Sequence, residues 1–259
     1  MNFLNSSFWN YIPPVVKNIL IINVILYIAT YALSRFNVHL NDILGMHYWQ
    51  ADKFNITQLV SYMFMHGGLA HVFFNMFALV MFGTMLERTW GSRRFLLYYI
   101  VTGIGAGIIQ QIIWTIDFQP IMTALNDGIA SNSVEPLLPY RSELSRPFQS
   151  FILEYFNNTP AIIELKQAYF NVHLTVGASG SIFGILLAFG WLFPKAELYM
   201  FFIPVPIKAR LAVTIYAVAE LFFGVANFSW DNIAHFSHLG GMLFGAILIL
   251  IWRKQSTTF

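Results

Sequence analysis

The chain is 259 residues long, 57% hydrophobic and only 10% charged, with a formal net charge of +2, whereas soluble globular proteins are about 25% charged. A mean hydropathy of +0.61, with 26 Phe, 7 Trp and 12 Tyr, leaves too little polar surface to cover a water-soluble globule, which excludes a disordered chain, a disulfide-rich secreted domain and a cytosolic enzyme. The absence of cysteine removes Cys nucleophiles and disulfides, and so small a net charge gives nucleic acid no footing.

A helix needs about 20 apolar residues to cross the hydrocarbon core. Six segments approach that length, at 16–34, 62–86, 95–116, 174–193, 209–227 and 233–252. The expected fold is therefore all-α, a polytopic bundle of six transmembrane helices. The first span has no basic n-region or cleavage site and reads as an anchor. Residues 35–60 mix His47, Trp49, Asp42, Asp52 and Lys53 with apolar residues and suit an interfacial loop. Residues 117–173 form a long insertion rich in Asn, Pro, Ser and Glu, so 1–259 reads as one membrane domain with an outward-facing insertion. Apolar residues at near-helical spacing over 148–170 (Phe148, Phe151, Ile152, Tyr155, Ile162, Ile163, Leu165) predict an amphipathic surface helix.

Basic residues set the orientation. Lys17, Arg88, Arg93, Arg94, Lys195, Lys208, Arg210, Arg253 and Lys254 fall on one side, and Arg35, Lys53, Arg141, Arg146 and Lys166 on the other. The positive-inside rule then places both termini on the cytoplasmic side, and the expected location is the cell (inner) membrane.

Polar residues at membrane depth are costly, so each is a functional candidate. His71 and Asn75 are four apart on the second span and share a face. Ser179 stands in Gly177-Ala178-Ser179-Gly180 on the fourth, and His238 precedes Gly241 and Gly245 on the sixth. Peptide hydrolysis needs a nucleophile, a base within reach and donors aimed at the oxyanion. Ser179 and His238 fit the first two roles; His71, Asn75 and the Ser179 N–H fit the third. Gly180 and Gly184, with Gly241 and Gly245, form small faces that let two helices approach closely. No third member stands out, so a dyad is expected. Glu220, ten residues into the fifth span, reads as a protonated group bonded to a neighbouring helix near the bilayer centre, and Glu220→Gln is expected to keep activity. His235, nearer Asp231 and the outer loop, reads as solvated or Asp-paired.

Other chemistries fit less well. Gly103-Ile104-Gly105-Ala106-Gly107 lacks the third glycine of a dinucleotide loop and reads as a packing face. No His-Glu-x-x-His exists, so although His66, His235, His238 and Asp231 can bind metal in principle, no metal or cofactor is expected. The Gly-x-Ser-x-Gly elbow is also missing.

The set His71-x-x-x-Asn75, Gly177-Ala178-Ser179-Gly180 and His238-Leu239-Gly240-Gly241-x-x-x-Gly245, in that order on the second, fourth and sixth helices, resembles the rhomboid intramembrane serine proteases over about residues 15–252 apart from the insertion. The resemblance implies a six-helix bundle with a water-filled cavity open to the outside. It also implies a Ser179–His238 dyad that cleaves membrane-anchored proteins near the outer leaflet, with His71 and Asn75 around the oxyanion. Glu87-Arg88 followed by Gly91 is similar to the family's Glu-x-Arg-type structural motif, and His66 matches a position in the outer loop. Thr57-Gln58 stands where the family often has Trp-Arg, and Phe183 where it often has a Tyr that stacks on the histidine. An inactive relative would lack the serine or the histidine, and both are present. A channel or transporter would be expected to show inverted repeats, and none is visible. The expected partners are transmembrane protein substrates and the lipid bilayer.

Overall fold

The computed structural model describes residues 7–145, 153–200, 203–226 and 233–256. Five of its helices are long and apolar enough to cross a membrane. These are α1 (Pro14–Ser34), α2 (Leu69–Trp90), α3 (Ser92–Asp117), α7 (Ala209–Ala226) and α8 (His235–Ser256). Between α3 and α7 come α4 (Gln119–Ser131), α5 (Thr159–Val172) and α6 (Ser179–Leu192). The chain is a polytopic helical membrane protein.

Among the described residues, five helices and not six reach full spanning length. The fourth expected span, 174–193, yields a helix of 14 residues, about 21 Å long at 1.5 Å per residue. Its first residues are spent elsewhere: Leu174–Thr175 form strand β2, which pairs antiparallel with β1 (Met46–His47). The second span also begins later than hydropathy implies. Tyr62–Phe64 is a 3-10 turn, and α2 starts only after the extended Gly68. A second hairpin, β3 (Glu197–Met200) with β4 (Ile203–Lys208), connects α6 to α7.

Burial follows the solvent. The short α6 lies inside, packed on α3, α7 and α8, with Gly180, Ser181, Ile182, Gly184, Ile185, Ala188, Phe189 and Gly190 buried. The outer helices leave apolar side chains uncovered, among them Ile25 and Ile28 on α1 and Val218, Phe222 and Val225 on α7. Contiguous apolar exposure of this kind is a face for lipid. Among the glycines of α3, Gly105 lies where any Cβ would run into the ring of Phe244 on α8. That span is a packing face, as its sequence implies.

Glu87 and Arg88 hold the end of the bundle where α2 meets α3. The Glu87 carboxylate accepts the N–H groups of Val15 (3.0 Å) and Val16 (2.8 Å) and the Ser92 hydroxyl (2.6 Å). It thus satisfies donors that the first turn of α1 leaves orphaned and sits at the positive end of that helix. Arg88 donates to the Tyr11 carbonyl and lies over its ring.

The insertion is folded. Phe118, Ile121, Leu125, Leu137, Leu144, Ile162, Leu165 and Phe170 bury one another together with Tyr48 and Ala51 from the 35–60 loop, forming a second core. The surface helix expected over 148–170 is shorter. It starts at Thr159 with Pro160 in its first turn and is capped by Asn158, which accepts from the Ala161 N–H at 3.0 Å. Phe148, Phe151 and Ile152 lie outside the described residues. In the 35–60 region Gln58 is buried and ties the loop together. It accepts from the His47 N–H and donates to the carbonyls of Ile43 and Lys53.

Candidate active site

Ser179 is the first residue of α6, immediately after a break that glycine makes possible. Gly177 has φ +134°, a conformation that strains any residue with a Cβ, and its N–H donates to the Tyr62 carbonyl at 2.9 Å. A Cβ there would also lie 2.8 Å from His71 Nε2 and 3.5 Å from Ser179 Oγ. At the opening of a helix the Ser179 N–H has no intrahelical acceptor and is available to a ligand. His238, in the first turn of α8, places Nε2 2.8 Å from Ser179 Oγ. The Phe183 ring, one turn along α6, stacks flat on the His238 ring at 4.2 Å and 9°. The helix period sets that arrangement, since residues four apart share a face.

One pair of glycines permits the approach. Gly241 lies against the Gly180 carbonyl so closely that a Cβ would overlap it. The other pair does not meet as the sequence implies. Gly184 packs on Thr102, and Gly245 packs on the Tyr98 hydroxyl, both on α3. Tyr98 in turn donates to the Gly184 carbonyl at 2.8 Å. The small residues of α6 and α8 therefore split their service between each other and α3, because α3 fills the groove next to both.

The largest departure from expectation is Glu220. Its Oε2 stands 2.9 Å from His238 Nδ1 and 2.7 Å from His235 Nδ1. Glu220 is thus level with the first turn of α8, and a third group contacts the serine–histidine pair. His235 is buried and stacks on Phe223 at 5.7 Å, so it is not the solvated residue that its position in the sequence suggests. Asp231 lies outside the described residues. Among the described residues, Glu220, His235 and His238 form the group whose ligand atoms converge as a metal would require, all within 4.8 Å of one another. His66 is elsewhere, with its ring 4.9 Å from that of His71.

His71 comes to the Ser179 segment from α2. Asn75, one turn further on and buried, donates to the His71 carbonyl at 3.0 Å, so its amide braces its own helix. The rival serines are committed elsewhere. Ser181 Oγ donates to the Tyr99 carbonyl at 2.8 Å and Ser237 Oγ to that of Ala106 at 3.3 Å. Burial holds His66 neutral, helped by the neighbouring His71, and pushes its pKa down to about 3.

The Rhomboid domain model matches residues 53–116 and 148–255, well over half of the chain, and passes over 117–147 within the insertion. The chain is 25% identical over 225 residues to an uncharacterized mitochondrial rhomboid protein of Schizosaccharomyces pombe, covering 82% of this chain and 56% of that protein. It is 38% identical over 73 residues to the mitochondrial Rhomboid protein 1 of Saccharomyces cerevisiae, covering 28% and 20%. It is 28% identical over 160 residues to the rhomboid protease GluP of Bacillus subtilis, covering 62% and 29%. The chain thus spans about half or less of the length of these relatives. With a family match that includes α2, α6 and α8, the helices bearing His71, Ser179 and His238, the chain belongs to the rhomboid family.

Proposed function

We propose that this chain is a serine endopeptidase that cleaves membrane-anchored proteins in or beside the bilayer. The observation that carries the reading is the 2.8 Å contact between Ser179 Oγ and His238 Nε2, in a bundle of a family with a named bacterial protease. Ser179 Oγ attacks the scissile carbonyl as its proton passes to His238 Nε2. The oxyanion accepts from the Ser179 N–H, with His71 and Asn75 as further donors. His238 then gives the proton to the departing amine, and water repeats the sequence on the acyl-enzyme to release the second product and restore the serine. Glu220 Oε2 accepts from His238 Nδ1–H. That keeps the proton off Nε2, which must be the acceptor, and offsets the positive charge that the ring gains. Glu220 is a positioning residue.

The distribution of Lys and Arg supports a topology in which the Ser179 end of the bundle faces the side opposite the termini. Placing the nucleophile at the start of a helix lets water reach it from that side while the flanking helices present the substrate's membrane segment. The test is incubation of the purified protein with a transmembrane reporter peptide, alongside fluorophosphonate labelling. Wild type should cleave and label at Ser179. Ser179→Ala and His238→Ala should do neither, while His235→Ala should keep a readily measurable rate. Labelling at Ser181 or Ser237, or cleavage by Ser179→Ala, overturns the assignment.

A further inference from the structure

We propose that Glu220, His235 and His238 form a binding site for a divalent transition-metal ion, zinc foremost, whose occupancy switches Ser179 off. Two imidazole nitrogens and one carboxylate oxygen converge here, His235 Nδ1 and His238 Nδ1 at 2.7 and 2.9 Å from the same Glu220 Oε2, with all three atoms within 4.8 Å of one another. The rings are aimed by packing, His238 against Phe183 and His235 against Phe223. Zinc takes nitrogen and oxygen ligands at about 2.0–2.2 Å in tetrahedral geometry, so neighbouring ligand atoms stand about 3.4 Å apart. The carboxylate must open from the rings by about 0.5–0.7 Å and the two nitrogens, within 4.8 Å of each other, must close to that spacing, movements within the reach of a Glu side chain and two imidazoles. Two nitrogens among three ligands favour zinc or cobalt over magnesium and calcium, which prefer all-oxygen sites. A cavity of about 140 Å³ between α3, α7 and α8, lined by Gln110, Asp117 and Gly224, borders the site at His235.

The effect on the reaction follows from the two ring nitrogens. A metal on His238 Nδ1 takes the place of the proton that Glu220 accepts, and the neutral ring must carry its proton on Nε2. Nε2–H then donates to Ser179 Oγ and cannot accept from it. Metal binding and general-base action at His238 exclude each other. The inhibitory half of the proposal rests on the protease reading above; the binding half does not.

Binding is therefore measured on Ser179→Ala protein, purified in detergent with EDTA and freed of chelator. Cobalt should give one equivalent of visible d–d absorption, displaced by zinc and absent when either His235→Gln or Glu220→Gln is added. Two variants guard against one that fails to fold. On wild type, zinc should cut reporter cleavage at least tenfold, EDTA should restore it, and magnesium should do nothing. His235→Ala should need at least tenfold more zinc for the same inhibition. No stoichiometric cobalt band, a band indifferent to both His235 and Glu220, or equal zinc sensitivity in His235→Ala overturns the proposal. Metal-free wild type that cleaves nothing, yet gives the cobalt band, supports the site and refutes the protease reading instead.

Discussion

Replacing Glu220 by Gln tests the part of the site that hydropathy did not reveal. The carboxylate oxygen lies 2.9 Å from His238 Nδ1, which puts the centre of the carboxylate charge about 5 Å from the ring's centre of charge once the ring is an imidazolium. At an effective dielectric of about 20, two unit charges at that separation attract by about 3 kcal/mol. Removing the attraction raises the barrier by a similar amount, roughly 200-fold in rate. Gln has two ways to sit. With its carbonyl oxygen toward the rings it still accepts from Nδ1–H, and only the charge is lost. With its amide nitrogen there it donates to Nδ1, moves the ring proton to Nε2 and removes the base altogether. Glu220→Gln should therefore lower kcat by about 10²–10³-fold, with KM little changed. The assay is reporter cleavage under saturating and limiting substrate, with fluorophosphonate labelling of Ser179 as a second readout and a melting curve to show the fold intact. A kcat within about threefold of wild type, less than 1 kcal/mol of barrier, would refute the reasoning and return Glu220 to a packing role.

Three further outcomes are expected. His71→Ala or Asn75→Ala should lower kcat by about 10- to 1000-fold, the range for losing one oxyanion donor; unchanged rates in both would remove them from that role. Gly241→Ala places a Cβ against the Gly180 carbonyl, so α6 and α8 must move apart at a cost of about 1–3 kcal/mol. Melting temperature and Ser179 labelling should fall together, and normal values of both would show that the helix contact is looser than described. His66, held neutral with a pKa of about 3, binds its proton far less readily in the fold than in the unfolded chain at about 6.5. Its contribution is complete above pH 6.5 and is lost as the pH falls toward 3, by up to about 1.4 kcal/mol per unit. The melting temperature of wild type should therefore drop more steeply between pH 6.5 and 4.5 than that of His66→Phe, and parallel curves would contradict a buried neutral imidazole.

What the amino-acid order determined by itself was everything set by local composition. Apolar runs of about 20 residues specify spans wherever the solvent is lipid, so α1, α3, α7 and α8 were legible to within a few residues. The motifs around Ser179, His71 and His238 were legible for a similar reason, because polar groups and small residues stand out against an apolar helix. The ends of helices were less so. Whether 174–178 continues α6 depends on a two-residue pairing with Met46–His47 and on the φ +134° of Gly177, and neither is a matter of hydropathy. The second core was hidden because Tyr48 packs on Phe118 and Phe170, residues 70 and more positions away that share no periodic pattern. Glu220 shows the limit most plainly. Its depth could be counted from Arg210, but the direction of its side chain is set by how α7 is turned against α8. That rotation is decided by shape complementarity between side chains on two helices, and in lipid no hydrophobic gain distinguishes one face from another. Only the tertiary structure brings the carboxylate to the histidine.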